Sequence, residues 1–167
     1  MATRTDFSPE QWQALRNAPQ LVALATAAAG NSGLFGSISE GMAMASTMAA
    51  AVRGDQPLLK EIFGKDEISA AQDQIKAMVK SATDKASLNT LLQKAATDAV
   101  SAALAALTAK GATADAAAFR TFLKGIGEKI ANVSTEGGFL GFGGERVSAG
   151  ERQFLAQLNA LVGTRTV

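Results

Sequence analysis

Three glutamates lie in or beside a glycine-rich stretch late in the chain, and they are the first candidates for chemistry. Glu136 and Glu145 lie within this stretch, and Glu151 follows it. Carboxylate and carbonyl oxygens are the usual ligands of hard cations such as Ca²⁺. A calcium loop takes its acidic ligands at short alternating spacings, which these three residues lack. We therefore predict no metal site and interpret the glutamates as solvated or helix-capping groups.

Side chains suited to covalent or acid–base catalysis are few. The chain contains no histidine, cysteine or tyrosine, so the commonest general base and the thiolate nucleophile are missing. No serine is followed three residues later by a lysine. Asp66 and Glu67 fall at a predicted helix start, where the helix dipole favours acidic residues. Residues 141–146 lack the last glycine of the dinucleotide-binding pattern and follow no predicted strand. We predict a protein that is not an enzyme, with no catalytic residue and no cofactor.

Charge and hydropathy argue against two classes of partner. The chain has 16 basic and 15 acidic residues, a net charge of +1, and its basic residues are scattered. Nucleic-acid-binding proteins present a clustered basic face, so no nucleic acid is expected. The longest apolar run, residues 21–29, is about half as long as a membrane-spanning helix requires. Residues 1–7 lack the apolar core of a signal peptide. We expect a cytoplasmic protein without a membrane span.

The least ordinary feature is the glycine-rich segment 134–146, in which five glycines surround three large apolar residues. An earlier glycine-bearing segment, 30–36, has two apolar residues in a similar setting. Glycine-dense segments lose much conformational entropy on ordering, so their apolar side chains must gain contacts in return. These side chains either fill the core or remain exposed and dock onto a partner. We predict that they form a surface for a protein partner or for self-association. The residues are Leu34, Phe35, Phe139, Leu140 and Phe142.

The elements that position these residues are predicted to be helices. Alanine dominates the composition, and the alternating β-branched runs typical of strands are missing. Apolar residues recur every three or four positions between capping residues. We predict an all-α fold, a compact bundle of six to seven helices. It forms a single domain over residues 1–167, with frayed termini at 1–7 and 164–167.

Several boundaries follow from local signals. Ser8, Asp84 or Ser87, and Ser148 are predicted to begin helices, and Asp66 to cap another. Pro19 is expected to break or kink the first helix near Ala18. A helix is predicted over residues 39–52, and the nearly all-apolar helix over 84–109 is expected to be central. Gly125 and Gly127 lie inside a predicted helix, where they indicate a close helix contact or a kink.

Two parts of the chain resemble each other. Residues 24–36 and 129–141 both end an apolar helix, pass through small polar residues, and reach a glycine, two large apolar residues and a glycine. Each leads to an aliphatic residue and a serine, Ile38–Ser39 and Val147–Ser148, that can begin another helix. We predict a faint internal repeat of a helix–loop–helix hairpin, with one copy at each end of the bundle.

The second hairpin resembles the tellurite-resistance protein B (TerB-like) helical proteins. The resemblance rests on Ile130–Val133, Gly137, Val147–Ser148 and Glu151. The run GGFLGFGGERVS is also similar to a group of uncharacterised bacterial helical proteins. In the TerB-like family two such hairpins form an internal pseudo-repeat. The resemblance implies a bacterial stress-related binding protein with a cation near the hairpin acids. The family's usual Asp-Gly turn is missing here, so no cation site is carried over.

The leading interpretation is a non-enzymatic bacterial interaction or scaffold protein, with a stress-related role implied by the resemblance. The alternative is a small-ligand or divalent-cation binding protein. Met42, Met44 and Met48 lie beside an alanine-rich helix, and flexible methionines can line an adaptable apolar pocket. A shift in melting temperature with added cations or lipids distinguishes the two interpretations.

Overall fold

Regular structure is entirely helical in the computed structural model, which describes residues 1–30, 50, 54–136 and 147–163. No strand occurs in these ranges, so the predicted all-α bundle is confirmed. After a short 3-10 turn, Arg4–Asp6, the described residues form six α-helices in order. They are α1 Pro9–Ala29, α2 Pro57–Ile62, α3 Lys65–Val79, α4 Lys85–Ala109, α5 Thr113–Glu136 and α6 Ala149–Val162. The helix predicted over 39–52 lies almost entirely outside the described residues, as does part of each predicted hairpin.

Side-chain caps begin three of these helices where the sequence predicts them. Ser8, Asp84 and Ser148 each accept a hydrogen bond from the backbone N–H three residues later. In each case the side chain of that later residue accepts a hydrogen bond from the backbone N–H of the cap residue. Asp66 was expected to cap α3, and this is wrong. The cap position belongs to Gly64, and Asp66 lies in the first turn.

Helix α1 continues through Pro19 without the predicted break near Ala18. A proline inside a helix removes one backbone hydrogen bond and costs about 3 kcal/mol. Burial offsets that cost, because every residue from Asn17 to Gly30 except Leu24 is buried. The helix therefore does not break at Pro19. The local signal that predicted a break or kink carries no information about packing around the helix.

The most buried helix is α1, rather than the helix over 84–109 that we expected to be central. Helix α1 packs against α3, α4, α5 and α6. Helix α4 buries one face, which includes Leu92, Val100 and Leu107, and exposes Ala102 and Ala105 on the other. Alanine tolerates either environment, so an alanine-rich run does not show which side of a helix faces water.

Residues 1–7, which the sequence predicts to fray, contact the bundle. Ala2 and Phe7 are buried. The Ala2 backbone N–H donates to Oδ2 of the buried Asp115 over 2.7 Å. The Arg4 backbone N–H donates to Glu61 Oε2 over 2.7 Å. These contacts join the first residues to α2 and α5. Residues 164–167 lie outside the described part.

The two glycines inside α5 behave differently. A Cβ placed on Gly127 would lie 2.8 Å from Leu155 Cδ2, 3.0 Å from Leu158 Cδ2 and 3.8 Å from Thr26 Oγ1. Gly127 therefore allows α5, α6 and α1 to pack closely, as predicted for a helix-contact glycine. Gly125 has no atom within 4 Å of the corresponding position and faces open space.

Candidate functional site

The residues predicted to contact a partner lie outside the described part of the chain. Leu34 and Phe35 belong to the segment 31–49, and Phe139, Leu140 and Phe142 belong to the segment 137–146. Met42, Met44 and Met48, which the alternative interpretation uses, lie in the first of these segments as well. The structure defines the framework that holds one end of each segment. That framework lies where α1 ends and α6 begins.

The carboxyl end of α1 abuts the amino end of α6. A Cβ placed on Gly150 would collide with the Ala29 carbonyl oxygen, so glycine permits this backbone separation. A Cβ placed on Gly30 would lie 2.9 Å from Glu151 Oε1 and 3.2 Å from its Cδ. The Ser148 hydroxyl donates to the Ala29 carbonyl over 3.4 Å. We call these five residues, Ala29, Gly30, Ser148, Gly150 and Glu151, the helix junction.

Electrostatics favour this arrangement. The amino end of a helix carries a partial positive charge and the carboxyl end a partial negative charge, so α6 and α1 meet with opposite signs. Glu151, only 2% exposed, lies in the first turn of α6. Its Oε2 accepts a hydrogen bond from the Ser148 N–H over 2.8 Å. The buried carboxylate is therefore held by the helix that it caps, directly against Gly30.

The helix junction joins the attachment points of the two segments that the sequence singles out. Segment 31–49 begins directly after Gly30, and segment 137–146 ends directly before Val147. The sequence predicts the capping pair Ser148 and Glu151, and both hydrogen bonds of that pair are present. It does not predict the contact of this pair with α1, because no local pattern relates residue 30 to residue 151.

Beside the 3-10 turn lies a cleft of about 550 Å³, which sequence reasoning missed. Some of its charged groups pair with each other within the protein. Glu67 forms ion pairs with Arg4 Nη1 at 2.6 Å and with Arg16 Nη1 at 3.2 Å. The Arg4 backbone N–H donates a hydrogen bond to Glu61 Oε2. These contacts attach the amino terminus to α2 and α3. The indole Nε1 of Trp12, which also lines the cleft, is buried without a hydrogen-bond partner.

Metal ligands do not converge in the described part of the chain, where no group of three or more acidic, histidine or cysteine side chains could hold an ion. Of the glutamates considered from the sequence, Glu151 caps α6, and Glu145 lies outside the described residues. Among the helices described, none is long and apolar enough to cross a bilayer.

Comparison of the chain with models of protein families, with characterised proteins and with solved structures found no match. The resemblance to TerB-like proteins, and the bacterial stress-related role that it implies, therefore stay predictions.

Proposed function

We propose that the protein is a non-enzymatic interaction protein that docks a protein partner through its two glycine-rich segments. The docking residues are Leu34, Phe35, Phe139, Leu140 and Phe142. The helix junction is the observation that supports this proposal. Leu34 follows Gly30 by four residues, and Phe142 precedes Val147 by five. Because α1 and α6 meet at the helix junction, Gly30 and Val147 lie close together in the fold. Two apolar stretches far apart in sequence are thus attached at one point of the bundle.

The described helices build a core from their own side chains. The bundle has one continuous core, to which every α-helix contributes, and its aromatic members include Phe119 and Phe154, at most 1% exposed. An apolar surface of more than a few hundred Å² on a soluble protein marks an interaction site. Glycines allow such side chains to be presented without the constraints of a helix. A scaffold role in a bacterial stress response is the biological setting that the TerB-like resemblance implies.

The test compares a double variant in the second segment with a core variant. Phe139→Ser with Phe142→Ser removes two docking side chains. Phe119→Ser removes a side chain that is 0% exposed. We expect the double variant to retain its free energy of unfolding within about 0.5 kcal/mol. We expect Phe119→Ser to lose about 3–5 kcal/mol. The wild-type protein should bind the apolar dye ANS, and the double variant should lose most of that binding.

A loss of several kcal/mol in the double variant, comparable to that of Phe119→Ser, would show that these side chains belong to the core and would overturn the proposal. Sedimentation velocity over a range of protein concentrations then identifies the partner class. Dimerisation that the double variant abolishes means that the partner is a second copy of the chain. A wild-type protein that stays monomeric while binding ANS means that the partner is a different protein.

A further inference from the structure

Arg120 of α5 carries a buried donor without an acceptor. Its Nε atom is shielded from solvent and makes no hydrogen bond. None of the ion pairs in the described part of the chain includes Arg120. An unsatisfied buried donor costs about 1–3 kcal/mol, and more when the group is charged. Native proteins leave few such groups, and an exception points to a bound water or ion.

The surroundings of Arg120 form an open cleft of about 380 Å³ between α5 and the last turn of α6. Arg120, Thr121 and Lys124 lie on one face of α5, because residues three and four positions apart share a helix face. Asn159 lies on the α6 side. The volume is within the range of small-molecule sites, about 300–1,000 Å³. Two of the lining residues are basic and none is acidic.

Lys124 remains available to a ligand. It has one ion pair in the described chain, with Glu128 at 3.8 Å, and both side chains are about half exposed. An exposed pair of this kind is worth about 0–1 kcal/mol, so an incoming anion can compete with it. The cleft beside the 3-10 turn differs, because Glu67 there already pairs with both Arg4 and Arg16. No acidic side chain among the residues that line the cleft beside α6 neutralises its two basic side chains.

We propose that the Arg120 cleft binds an oxyanion, the carboxylate or phosphate group of a small molecule. A guanidinium presents its N–H donors in a planar fork, which matches two oxygens of such a group. Lys124 adds a second positive charge one turn further along α5. The Thr121 hydroxyl donates to the Ala117 carbonyl, so it is not assigned to the ligand. The Asn159 amide is the remaining polar side chain that lines the cleft.

A structural role is the competing explanation. Arginine near the carboxyl end of a helix can stabilise the last carbonyls and the helix dipole. Arg120 lines the same cleft as Gly163, where α6 ends. In that case Arg120 would stabilise the fold without binding an anion. Only the ligand-binding explanation predicts that an anion binds saturably at the cleft. The test therefore measures anion binding and protein stability separately.

The experiment follows the Nε–H resonance of Arg120 by NMR in the full chain at constant ionic strength. Inorganic phosphate and acetate are titrated in separate arms, with chloride replaced to hold the salt concentration fixed. We expect a saturable shift of the Arg120 resonance in at least one arm. Saturation with phosphate alone identifies a phosphate ligand, and saturation with acetate identifies a carboxylate ligand. A resonance that stays unmoved, or moves linearly without saturation in both arms, overturns the proposal.

Two variants and a matched control complete the test. Arg120→Lys keeps the charge but loses the paired donors, and it should weaken binding about tenfold or more, a change of about 1.4 kcal/mol. Lys124→Gln should weaken binding severalfold while the protein stays folded. Lys94→Gln, at an exposed lysine that does not line the cleft, should leave affinity unchanged. Equal affinity in wild type and Lys124→Gln, combined with lost stability in Arg120→Lys, would favour the structural role and contradict the proposal.

Discussion

Gly30 and Glu151 approach each other so closely that a Cβ on Gly30 would lie 2.9 Å from Glu151 Oε1. This contact joins the end of the most buried helix to the start of the last helix. It also places the beginning of one glycine-rich segment beside the end of the other. The interaction function that we propose depends on this convergence, because separate attachment points would leave two small apolar stretches instead of one surface.

Gly150→Ala tests the helix junction directly. The new methyl group would collide with the Ala29 carbonyl oxygen, which belongs to the backbone and cannot rotate away. We expect a loss of about 1–3 kcal/mol in the free energy of unfolding, the usual cost of overpacking. Denaturant titration measures this loss. Gly125→Ala is the matched control, because no atom lies within 4 Å of its Cβ position.

The control should change stability in the opposite direction. Gly125 lies in the interior of α5 on an exposed face. Alanine is favoured over glycine inside a helix by about 0.5–1 kcal/mol, so Gly125→Ala should stabilise the protein. Equal stability of the Gly150→Ala and Gly125→Ala variants would show that α1 and α6 are not in contact at Gly150.

Glu67→Gln tests the attachment of the amino terminus. Glu67 and Arg16 are nearly buried, with side-chain exposures of 10% and 11%, and Arg4 pairs with the same carboxylate. Removing one partner of a buried ion pair leaves an uncompensated charge, so we expect a loss of about 3 kcal/mol. Asp98→Asn, in the exposed Lys94–Asp98 pair, should cost less than about 0.5 kcal/mol. Thermal unfolding of both variants measures the difference, and a similar small loss in both would contradict the role of Glu67.

Asp84 makes stability depend on pH in the acid range. Hydrogen bonds from the Ser87 backbone N–H, and then from the Ser87 and Thr83 side chains, lower the pKa of the Asp84 carboxyl group. A lowered pKa in the folded state stabilises the fold fully above the unfolded-state pKa. That stabilisation is lost as the pH falls through the folded-state value, below about pH 4. Asp84→Asn keeps a capping side chain that does not titrate. Its free energy of unfolding should fall less steeply with acid than that of wild type, and identical slopes in denaturant titrations would refute this assignment.

Local signals predicted the parts of the fold that depend on a few neighbouring residues. Ser8, Asp84 and Ser148 begin helices because each cap and its partner lie within one turn. Helix α1 does not break at Pro19, and the burial that offsets the cost of the proline involves four other helices. The contact of the first residues with the bundle could not be predicted, because Ala2 bonds to Asp115, a residue 113 positions away.

In the candidate site, too, sequence reasoning found the local features and missed the long-range contacts. Sequence reasoning found the capping pair of α6 and the glycine-rich segments, which are local features. It could not find the contact between Gly150 and Ala29, because a glycine required for close helix approach looks like any other glycine in sequence. Arg120 gave no signal either. A missing partner is a property of the surroundings in space, and a scattered arginine on a helix usually lies in solvent.

Thiol accessibility tests the central claim most directly, since the chain contains no cysteine and each introduced thiol is the only one. Phe142→Cys and Phe119→Cys are compared for their rates of modification by a thiol reagent in the folded protein. An exposed docking surface predicts that the thiol in Phe142→Cys reacts at nearly the rate of an unfolded control. The thiol in Phe119→Cys, at a position that is 0% exposed, should be strongly protected. Protection of the position 142 thiol to the same degree would contradict the account.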